Sequence, residues 1–236
     1  MNTKLLYMDD SKLYKTTAIV QEVQGKTLLI LEASNFYPQG GGQPFDVGEV
    51  VGVHGKFTVQ EVRNIEGVVN HIGILEGEIR AGEEVICHID VVRRELNSRN
   101  HSAGHVLDMA VHQAGFSWIP GKGYSFPDGP YVEYSGDVLT VDVQEVKVKI
   151  EAACQKIVSK DLPVTVEYME REQMMGRVLN IPDHLPENRP ARVVFMGDYG
   201  IPCGGTHVQS LKEIGQIGVR KIKLSGNVLR VSYQIG

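Results

Sequence analysis

From residue 16 to residue 92, the sequence repeats one pattern: short apolar stretches rich in β-branched residues, separated by turns that contain glycine. The six stretches read TTAIVQEV, KTLLILEA, GEVVGV, KFTVQEV, GVVNHIGI and EEVICHIDV. Strands at this spacing predict a small antiparallel barrel or sandwich. We therefore expect an all-β domain over residues 1–92.

The pattern changes at Arg93. A long stretch without proline runs from there to Gly115 and predicts a helix. Gly115 is its expected end, because glycine is a common helix stop. Apolar residues at helical spacing predict a second helix over residues 144–160. Strand-like runs follow as VTVEYM, ARVVFM, VRKIKL and VLRVSYQI, the last two forming a predicted hairpin. The fold class is therefore predicted to be α+β, with a small antiparallel β-barrel-like domain followed by an α+β domain over residues 93–236.

Composition excludes a disordered or fibrous chain, since 42% of the 236 residues are hydrophobic. The net charge of −5 disfavours a protein that coats nucleic acid generally. A local basic face is nevertheless enough for phosphate contacts. The candidate cations for such a face are Arg93, Arg94, Arg99, the lysines of the second predicted helix, Arg220, Lys221 and Lys223.

The N-terminal sequence fits neither a signal peptide nor a transit peptide, because its short apolar patch is followed at once by Asp9 and Asp10. No apolar run reaches the ~18 residues of a membrane span. Three cysteines, an odd number, argue against a disulfide framework. These features predict a cytoplasmic protein whose cysteines are thiols or metal ligands.

The segment His101-Ser-Ala-Gly-His105 lies inside the first predicted helix. Residues four apart share a helix face, so both imidazoles can reach one metal ion. The alternative is a pair of ordinary histidines that are exposed or hydrogen-bonded.

The segment Cys203-Gly-Gly-Thr-His207 has the same ligand spacing around two glycines, which predict a tight loop instead of a helix. Taken alone it could be a turn with a buried thiol. Together the two segments supply one cysteine and three histidines, a set that suits tetrahedral zinc. The remaining histidines lack a ligand partner at suitable spacing and are interpreted as structural or solvent-facing: His54, His71, His88, His112 and His184.

A glycine-rich segment, FYPQGGGQPFDVG, begins at Phe36. The three glycines 40–42 let backbone N–H groups gather around an anion or an ester carbonyl, and Gln43 offers both a donor and an acceptor. The segment is neither a Walker loop nor a dinucleotide fingerprint. The alternative is a flexible hairpin loop.

These segments together resemble the editing domain of alanyl-tRNA synthetases and its free-standing relatives, the alanyl-tRNA editing (AlaX-type) proteins. The resemblance rests on FYPQGGGQPFDVG, HSAGH, CGGTH and EIGQIGVRKIKLSGNVLRVSY in the family's order, from about Tyr37 to Tyr233. It implies a hydrolase that deacylates tRNA(Ala) mischarged with serine, or with glycine. A chain of this length is expected to be the free-standing form, and its oligomeric state is left open.

The resemblance also implies roles for single residues. One zinc ion per chain would be held by His101, His105, Cys203 and His207. The pocket would be lined by Gly40, Gly41, Gly42 and Gln43. From the chemistry of this segment itself, we expect Gln43 and the glycine N–H groups to orient water or stabilise the oxyanion. Ser102, where many members carry threonine, would contact the serine hydroxyl of the substrate.

Three questions stay open at the level of sequence. Zinc could act in catalysis or only position the pocket, because four protein ligands can close a zinc site. The chain could instead edit errors of the threonyl type or be a small-molecule metalloesterase. It could also be a zinc-stabilised RNA-binding module without activity.

Overall fold

The computed structural model describes residues 2–139, 141–178, 180–182, 185 and 189–236. Within them the fold is α+β, as predicted, with two α-helices, α1 (Val91–Gln113) and α2 (Val143–Ser159). The chain divides into two compact units, Met1–Asn97 and Ser98–Gly236, and the division falls inside α1. No helix in the described part of the chain is long and apolar enough to cross a membrane.

The first unit is built from eight strands. They are β1 (Lys4–Leu5), β2 (Lys15–Gln24), β3 (Leu28–Leu31), β4 (Ala33–Ser34), β5 (Gly48–Val51), β6 (His54–Ile65), β7 (Val68–Glu78) and β8 (Glu84–Ile89). Six of them form a closed barrel in the order β2-β3-β7-β6-β5-β8. All six pairings in the barrel are antiparallel, so the predicted barrel is confirmed.

Alternate residues of these strands fill the barrel, since successive side chains of a strand point to opposite faces. Leu29, Phe57, Val62 and Val69 are fully buried there. Cys87 is also buried in this core, and burial raises the pKa of its thiol to about 12. That thiol is therefore a small apolar side chain of the core.

Arg94, which the sequence placed among surface cations, is buried in the first unit. Its Nε donates to Asp46 Oδ2 at 3.0 Å, and its Nη1 donates to the carbonyl oxygen of Ser11 at 2.8 Å. A buried ion pair of this kind is stable only when further hydrogen bonds satisfy both groups. Asp46 does so by also accepting from the backbone N–H of Tyr37, at 2.7 Å. Arg94 is thus structural, and the expectation that it lies on a basic face is wrong.

The described residues of the second unit form two antiparallel sheets. Its strands are β9 (Ile119–Tyr124), β10 (Tyr131–Ser135), β11 (Val164–Met169), β12 (Ala191–Met196), β13 (Tyr199–Pro202), β14 (Ile217–Ser225) and β15 (Val228–Ile235). One sheet has the order β14-β15-β10-β9, and the other has the order β11-β12-β13. Both predicted helices are confirmed to within two residues, as is the closing hairpin β14–β15.

Helix α2 is amphipathic, and one face of it contributes to the core of this unit. Val146, Ile150 and Ile157 are buried together with residues of α1 and of the four-stranded sheet. Asp142 caps its N-terminus by accepting from the N–H groups of Gln144 and Glu145, at 2.8 and 3.1 Å. The same core includes Ala103, Val106 and Leu107 of α1.

Candidate metal centre

Helix α1 places His101 and His105 on one face, one turn apart, with ring centroids separated by 5.0 Å. Gly104, between them, sits against the Tyr233 side chain: a Cβ there would lie 3.1 Å from the Tyr233 hydroxyl oxygen. That hydroxyl donates to the carbonyl oxygen of Asn100 at 2.8 Å. The glycine of HSAGH therefore allows the final strand to approach the helix closely beside the two histidines.

The CGGTH segment follows β13 as a loop without regular structure, as predicted. Arg192 of β12 anchors the loop: its Nη1 donates to the carbonyl oxygens of Cys203 and Gly205 at 2.6 and 3.1 Å. A second anchor joins the hydroxyls of Ser98 and Thr206, 2.7 Å apart. These contacts hold the loop against α1.

The four predicted ligands come together in the second unit. One donor atom from each of His101, His105, Cys203 and His207 lies within 4.8 Å of every other. The Cys203 Sγ is 3.5 Å from His101 Nε2 and 3.3 Å from His207 Nε2. Bonds of about 2.0–2.3 Å to a tetrahedral zinc require donors roughly 3.3–3.8 Å apart. The donor types therefore suit zinc, and the two distances from Cys203 Sγ fall within this range.

His105 gives a second indication of a metal site. Its ring nitrogens are both buried, and neither has a hydrogen-bond partner among the described residues. Buried polar atoms are nearly always satisfied. His105 lies in a cluster with three other donor groups, and a metal ion bound there would satisfy its unpaired ring nitrogen.

Neighbouring polar groups orient the donors. Ser102 Oγ is 3.2 Å from His207 Nδ1 and accepts from the backbone N–H of Val208 at 3.2 Å. Asp108 Oδ2 is 3.8 Å from His105 Nδ1, and its Oδ1 accepts from the Tyr134 hydroxyl at 2.7 Å. His105 and His207 thus have Nδ1 near an outer polar group, which leaves Nε2 of each as the donor to a metal.

The electrostatics favour the metal-binding forms of two donors. Burial alone would raise the pKa of the Cys203 thiol, but His101 and His207 outweigh it and hold that pKa well below its usual value. Burial lowers the pKa of His207 to about 3. At neutral pH the site therefore offers a thiolate beside a neutral imidazole, the forms that bind zinc.

The pKa of His105 is shifted in the opposite direction from that of His207. Burial would lower it, but Asp108 and Cys203 outweigh burial and raise the pKa to about 10. Because a metal ligand must be unprotonated, His105 has to release a proton when a metal binds.

A cavity of about 280 Å³ opens beside His105. It is lined by Asp108, Asn180, Tyr199 and Ile201 among others. A further cavity of about 420 Å³ shares Asp108 and Tyr199 with it and reaches Trp118. The second unit thus has room for a small ligand next to the donor cluster.

Gly40, Gly41, Gly42 and Gln43 lie in the first unit, where residues 41 and 42 form a turn with φ of +52° and +78°. Such positive φ angles favour glycine. The turn is closed by the backbone N–H of Gln43, which donates to the Gly40 carbonyl oxygen at 2.8 Å. Gln43 itself is fully buried. The structure thus groups Ser102 with the four donors, while the glycine-rich turn is described as part of the first unit.

The other histidines stay outside the donor cluster, with one beyond what the structure describes. His71 is buried in the first unit between Ser34 Oγ and the carbonyl oxygen of Leu29, at 2.8 and 3.0 Å. His54 and His112 are exposed, and His88 is half-buried. His184 lies outside the described residues.

Sequence reasoning missed Asp108. The signal was available, because Asp108 is three residues after His105 and so lies on the same helix face. Tyr134, its partner on β10, carried no such signal.

The barrel and two of the four donors lie on stretches that match family models of tRNA synthetases. Residues 3–93 match the family model described as "tRNA synthetases class II (A)". Residues 191–230, which include Cys203 and His207, match the model described as "Threonyl and Alanyl tRNA synthetase second additional domain".

Among individual proteins, the chain is similar to the alanyl-tRNA editing protein AlaX-L of Pyrococcus horikoshii, at 30% identity over 92% of this chain and 53% of that protein. It is 33% identical to the alanine–tRNA ligase of Archaeoglobus fulgidus, over 99% of this chain and 26% of the ligase. The ligase of Methanopyrus kandleri is 32% identical, over 99% of this chain and 26% of its own length. The chain thus spans about half of the editing protein and about a quarter of each ligase. These matches confirm the resemblance to alanyl-tRNA editing proteins.

Proposed function

We propose that this chain is a cytoplasmic aminoacyl-tRNA deacylase that hydrolyses the ester between serine and tRNA(Ala), with glycine as a second substrate amino acid. The observation that carries the proposal is the convergence of HSAGH and CGGTH on one four-donor cluster beside a cavity. Similarity over nearly the whole chain to proteins named for alanyl-tRNA editing or alanine–tRNA ligation supports it. Ester hydrolysis of this kind needs no ATP.

One zinc ion per chain would be held by His101, His105, Cys203 and His207. When bound, it supplies a positive charge that polarises an ester carbonyl or acidifies a water. The chain's own residues do the remaining work. Cys203 and His207 keep the centre assembled, the Asp108 carboxylate lies 3.8 Å from His105 Nδ1, and the cavity beside His105 receives the aminoacyl group.

Ser102 is proposed as the residue that distinguishes serine from alanine. A site that hydrogen-bonds a substrate hydroxyl rejects an analogue without it, because the site's own polar groups are then left unpaired. The Ser102 hydroxyl accepts from the Val208 N–H, and His207 Nδ1 is within reach as a second donor. The Ser102 hydroxyl would then still have its own proton to donate to an oxygen of the substrate.

Gln43, with Gly40, Gly41 and Gly42, is proposed to orient water or stabilise the developing oxyanion. The motif supports this role, because backbone N–H groups at consecutive glycines can converge on a negatively charged oxygen. The positive φ angles of Gly41 and Gly42 support it further, since they curve the backbone into the concave turn that such a group needs.

A non-catalytic, zinc-stabilised RNA-binding module is the second candidate. The observation that favours it is the number of protein donors: four fill a tetrahedral site, as in structural zinc centres. In that case the zinc holds the CGGTH loop to α1 and does not meet a substrate.

One assay decides between these functions. The full chain, loaded with zinc, is incubated with Ser-, Gly- and Ala-tRNA(Ala) and with Ser-tRNA(Thr). We expect rapid loss of Ser-tRNA(Ala), slower loss of Gly-tRNA(Ala), and Ala-tRNA(Ala) preserved. Absence of any deacylation by folded, zinc-loaded protein would leave the binding module as the remaining candidate, and preference for Ser-tRNA(Thr) would indicate threonyl-type editing.

Variants assign the roles within the same assay. Cys203→Ala is expected to lose both zinc and activity, whereas Cys154→Ala, which removes a buried thiol elsewhere in the second unit, retains both. Gln43→Ala is expected to lose about 10²-fold or more in rate with its zinc retained, as for an oxyanion donor. Ser102→Ala is expected to slow Ser-tRNA(Ala) hydrolysis more than it reduces zinc content. An unchanged rate in either of the last two variants rejects the role of that residue.

A further inference from the structure

The four-stranded sheet β14-β15-β10-β9 has two unlike faces. Val132, Tyr134, Leu229, Val231 and Tyr233 point into the core of the second unit. The residues that alternate with them form the opposite face, which we call the outer sheet face. Its members are Lys122, Tyr124, Tyr131, Glu133, Lys221, Lys223, Arg230 and Ser232.

The register brings these residues into rows. Tyr124 pairs with Tyr131, Tyr131 with Ser232, and Ser232 with Lys221. In the next row Glu133 pairs with Arg230, and Arg230 pairs with Lys223. Aromatic side chains thus occupy the β9–β10 side of the face, and cationic side chains occupy the β14–β15 side.

The aromatic side is a continuous stack. The rings of Phe126 and Tyr124 are 4.4 Å apart and nearly parallel, and the Tyr124 and Tyr131 rings are 5.3 Å apart at 16°. The Arg230 guanidinium lies 4.0 Å from the centre of the Tyr131 ring and also pairs with Glu133. This stacking orders Arg230 without packing it into a core.

The remaining cations of the face are uncompensated. Lys122, Lys221 and Lys223 are exposed, and none of them makes an ion pair with another described residue. Arg220, the extra residue at the bulge of β14, extends its guanidinium to Gly129 in the β9–β10 turn. Five cations therefore gather on and beside this face against two carboxylates, Glu133 and Asp128, in a chain whose net charge is −5.

Three of the other predicted basic positions are bonded to neighbouring groups. Arg94 is buried against Asp46. Arg99 donates to the carbonyl oxygens of Ile214 and Gly236. On α2, Lys149 is paired with Glu145 at 2.6 Å.

We propose that the outer sheet face is the surface on which the second unit binds the sugar–phosphate backbone of RNA, a step that deepens the proposed function by naming where its tRNA substrate is held. Lysine ammonium groups at the solvent edge suit phosphates, because each contact releases counterions. A flat sheet with aromatic rings and cations is a common surface for RNA. Phosphate contacts carry little sequence information, so this face holds the tRNA without identifying it.

The test compares two double charge reversals of equal net charge in the full, zinc-loaded chain. Lys221→Glu/Lys223→Glu alters the outer sheet face, and Lys149→Glu/Lys156→Glu alters exposed positions of α2. The probe is uncharged tRNA(Ala) transcript, with the dissociation constant measured by fluorescence anisotropy across a salt series. Zinc content and circular dichroism confirm that both variants are folded.

We expect the sheet variant to bind tRNA at least about tenfold more weakly and its log Kd–log[salt] slope to fall by about 2, one unit for each phosphate that a lysine no longer neutralises. The α2 variant should bind like the unaltered chain. Equal effects of both variants, or no effect of the sheet variant, would overturn the proposal. So would a sheet variant whose tRNA affinity is intact but whose oligomeric state has changed, since the face would then bind a second copy of the chain.

Deacylation is measured separately under single-turnover conditions. The sheet variant should need more protein to reach its maximal rate while that rate is unchanged, because Lys221 and Lys223 are not part of the donor cluster. A chain that binds tRNA through this face but deacylates nothing would refute the proposed function and leave the surface intact. A chain that deacylates but binds tRNA elsewhere would refute the proposed surface and leave the proposed function standing.

Discussion

At the scale of single residues, Ser102 joins the two halves of the metal centre. It lies on α1 between two donors, and its hydroxyl contacts His207 and the backbone of Val208 in the CGGTH loop. Removing it would leave the buried Val208 N–H unpaired, at a cost of about 1–3 kcal/mol. A modest loss of stability in Ser102→Ala is therefore expected besides its effect on rate, and the two must be measured separately.

His71 makes the stability of the first unit sensitive to pH. Burial lowers its pKa to about 4, from an ordinary value near 6.5. The unfolded chain therefore takes up a proton below about pH 6.5 while the folded chain does not, and stability falls as the pH drops. The contribution of His71 is present above pH 6.5 and is lost between there and pH 4.

We expect the free energy of unfolding to fall by about 2 kcal/mol from this residue between pH 7.5 and 5. Urea unfolding followed by circular dichroism measures it, with His71→Asn as the comparison, since that variant cannot titrate. The same loss in the variant would show that other groups cause the pH dependence. An NMR titration of the His71 ring gives its pKa directly.

The sequence predicted the donors of the metal centre but not the groups around them. His101, His105, Cys203 and His207 stand in two short motifs whose spacing is itself chemical information. Asp108 shares a helix face with His105, which was its signal in the sequence. The contacts of Arg192 with the CGGTH loop depend on the fold, and the apolar sequence of β12 gives no sign of them. Arg94 shows the opposite error. Its charge suggested a position on the surface, but in the interior its guanidinium donates hydrogen bonds to Asp46, which lies 48 residues earlier in the sequence.

At the scale of elements, the patterned segments were predictable and the irregular ones were not. The six barrel strands and both helices carry clear alternation or helical periodicity, and each forms where it was predicted. The strands β9, β10 and β13 were missed. The sequences of β9 and β13, IPGKGY and YGIP, contain proline and glycine, which weaken any strand pattern. These strands form because neighbouring strands β10 and β12 supply the hydrogen bonds.

Helix α2 depends on its N-cap. Asp142 accepts hydrogen bonds from two N–H groups that have no partner within the helix. Asp142→Ala is expected to destabilise the second unit by about 1 kcal/mol, while Asp142→Asn, which keeps an acceptor, should cost little. Thermal unfolding monitored by tryptophan fluorescence compares the two variants. Equal stability of both variants with the unaltered chain would show that the cap contributes nothing measurable.

At the scale of the whole molecule, the single tryptophan provides a selective probe, because Trp118 is buried in the core of the second unit. Zinc that bridges α1 and the CGGTH loop would stabilise that unit by binding the folded state only. Removing zinc with a chelator is therefore expected to lower the midpoint of the tryptophan-monitored transition by several degrees. Re-addition of zinc should restore it. In Cys203→Ala the chelator should change nothing, and a shift of the same size there would assign the effect to another metal site.

The pairing of β2 with β8 sets the order in which a ribosome-bound chain can acquire its structure. Lys15 lies opposite His88 at the seam of the barrel, so the barrel cannot close until nearly ninety residues have left the exit tunnel. The metal centre can assemble only later, because its first two donors leave the tunnel about a hundred residues before Cys203. During synthesis the barrel can thus be complete while the histidines of α1 still lack their partners, because domains generally fold as units from the N-terminus. Binding of a metal ion by these four donors would then be among the last events in the maturation of the nascent polypeptide.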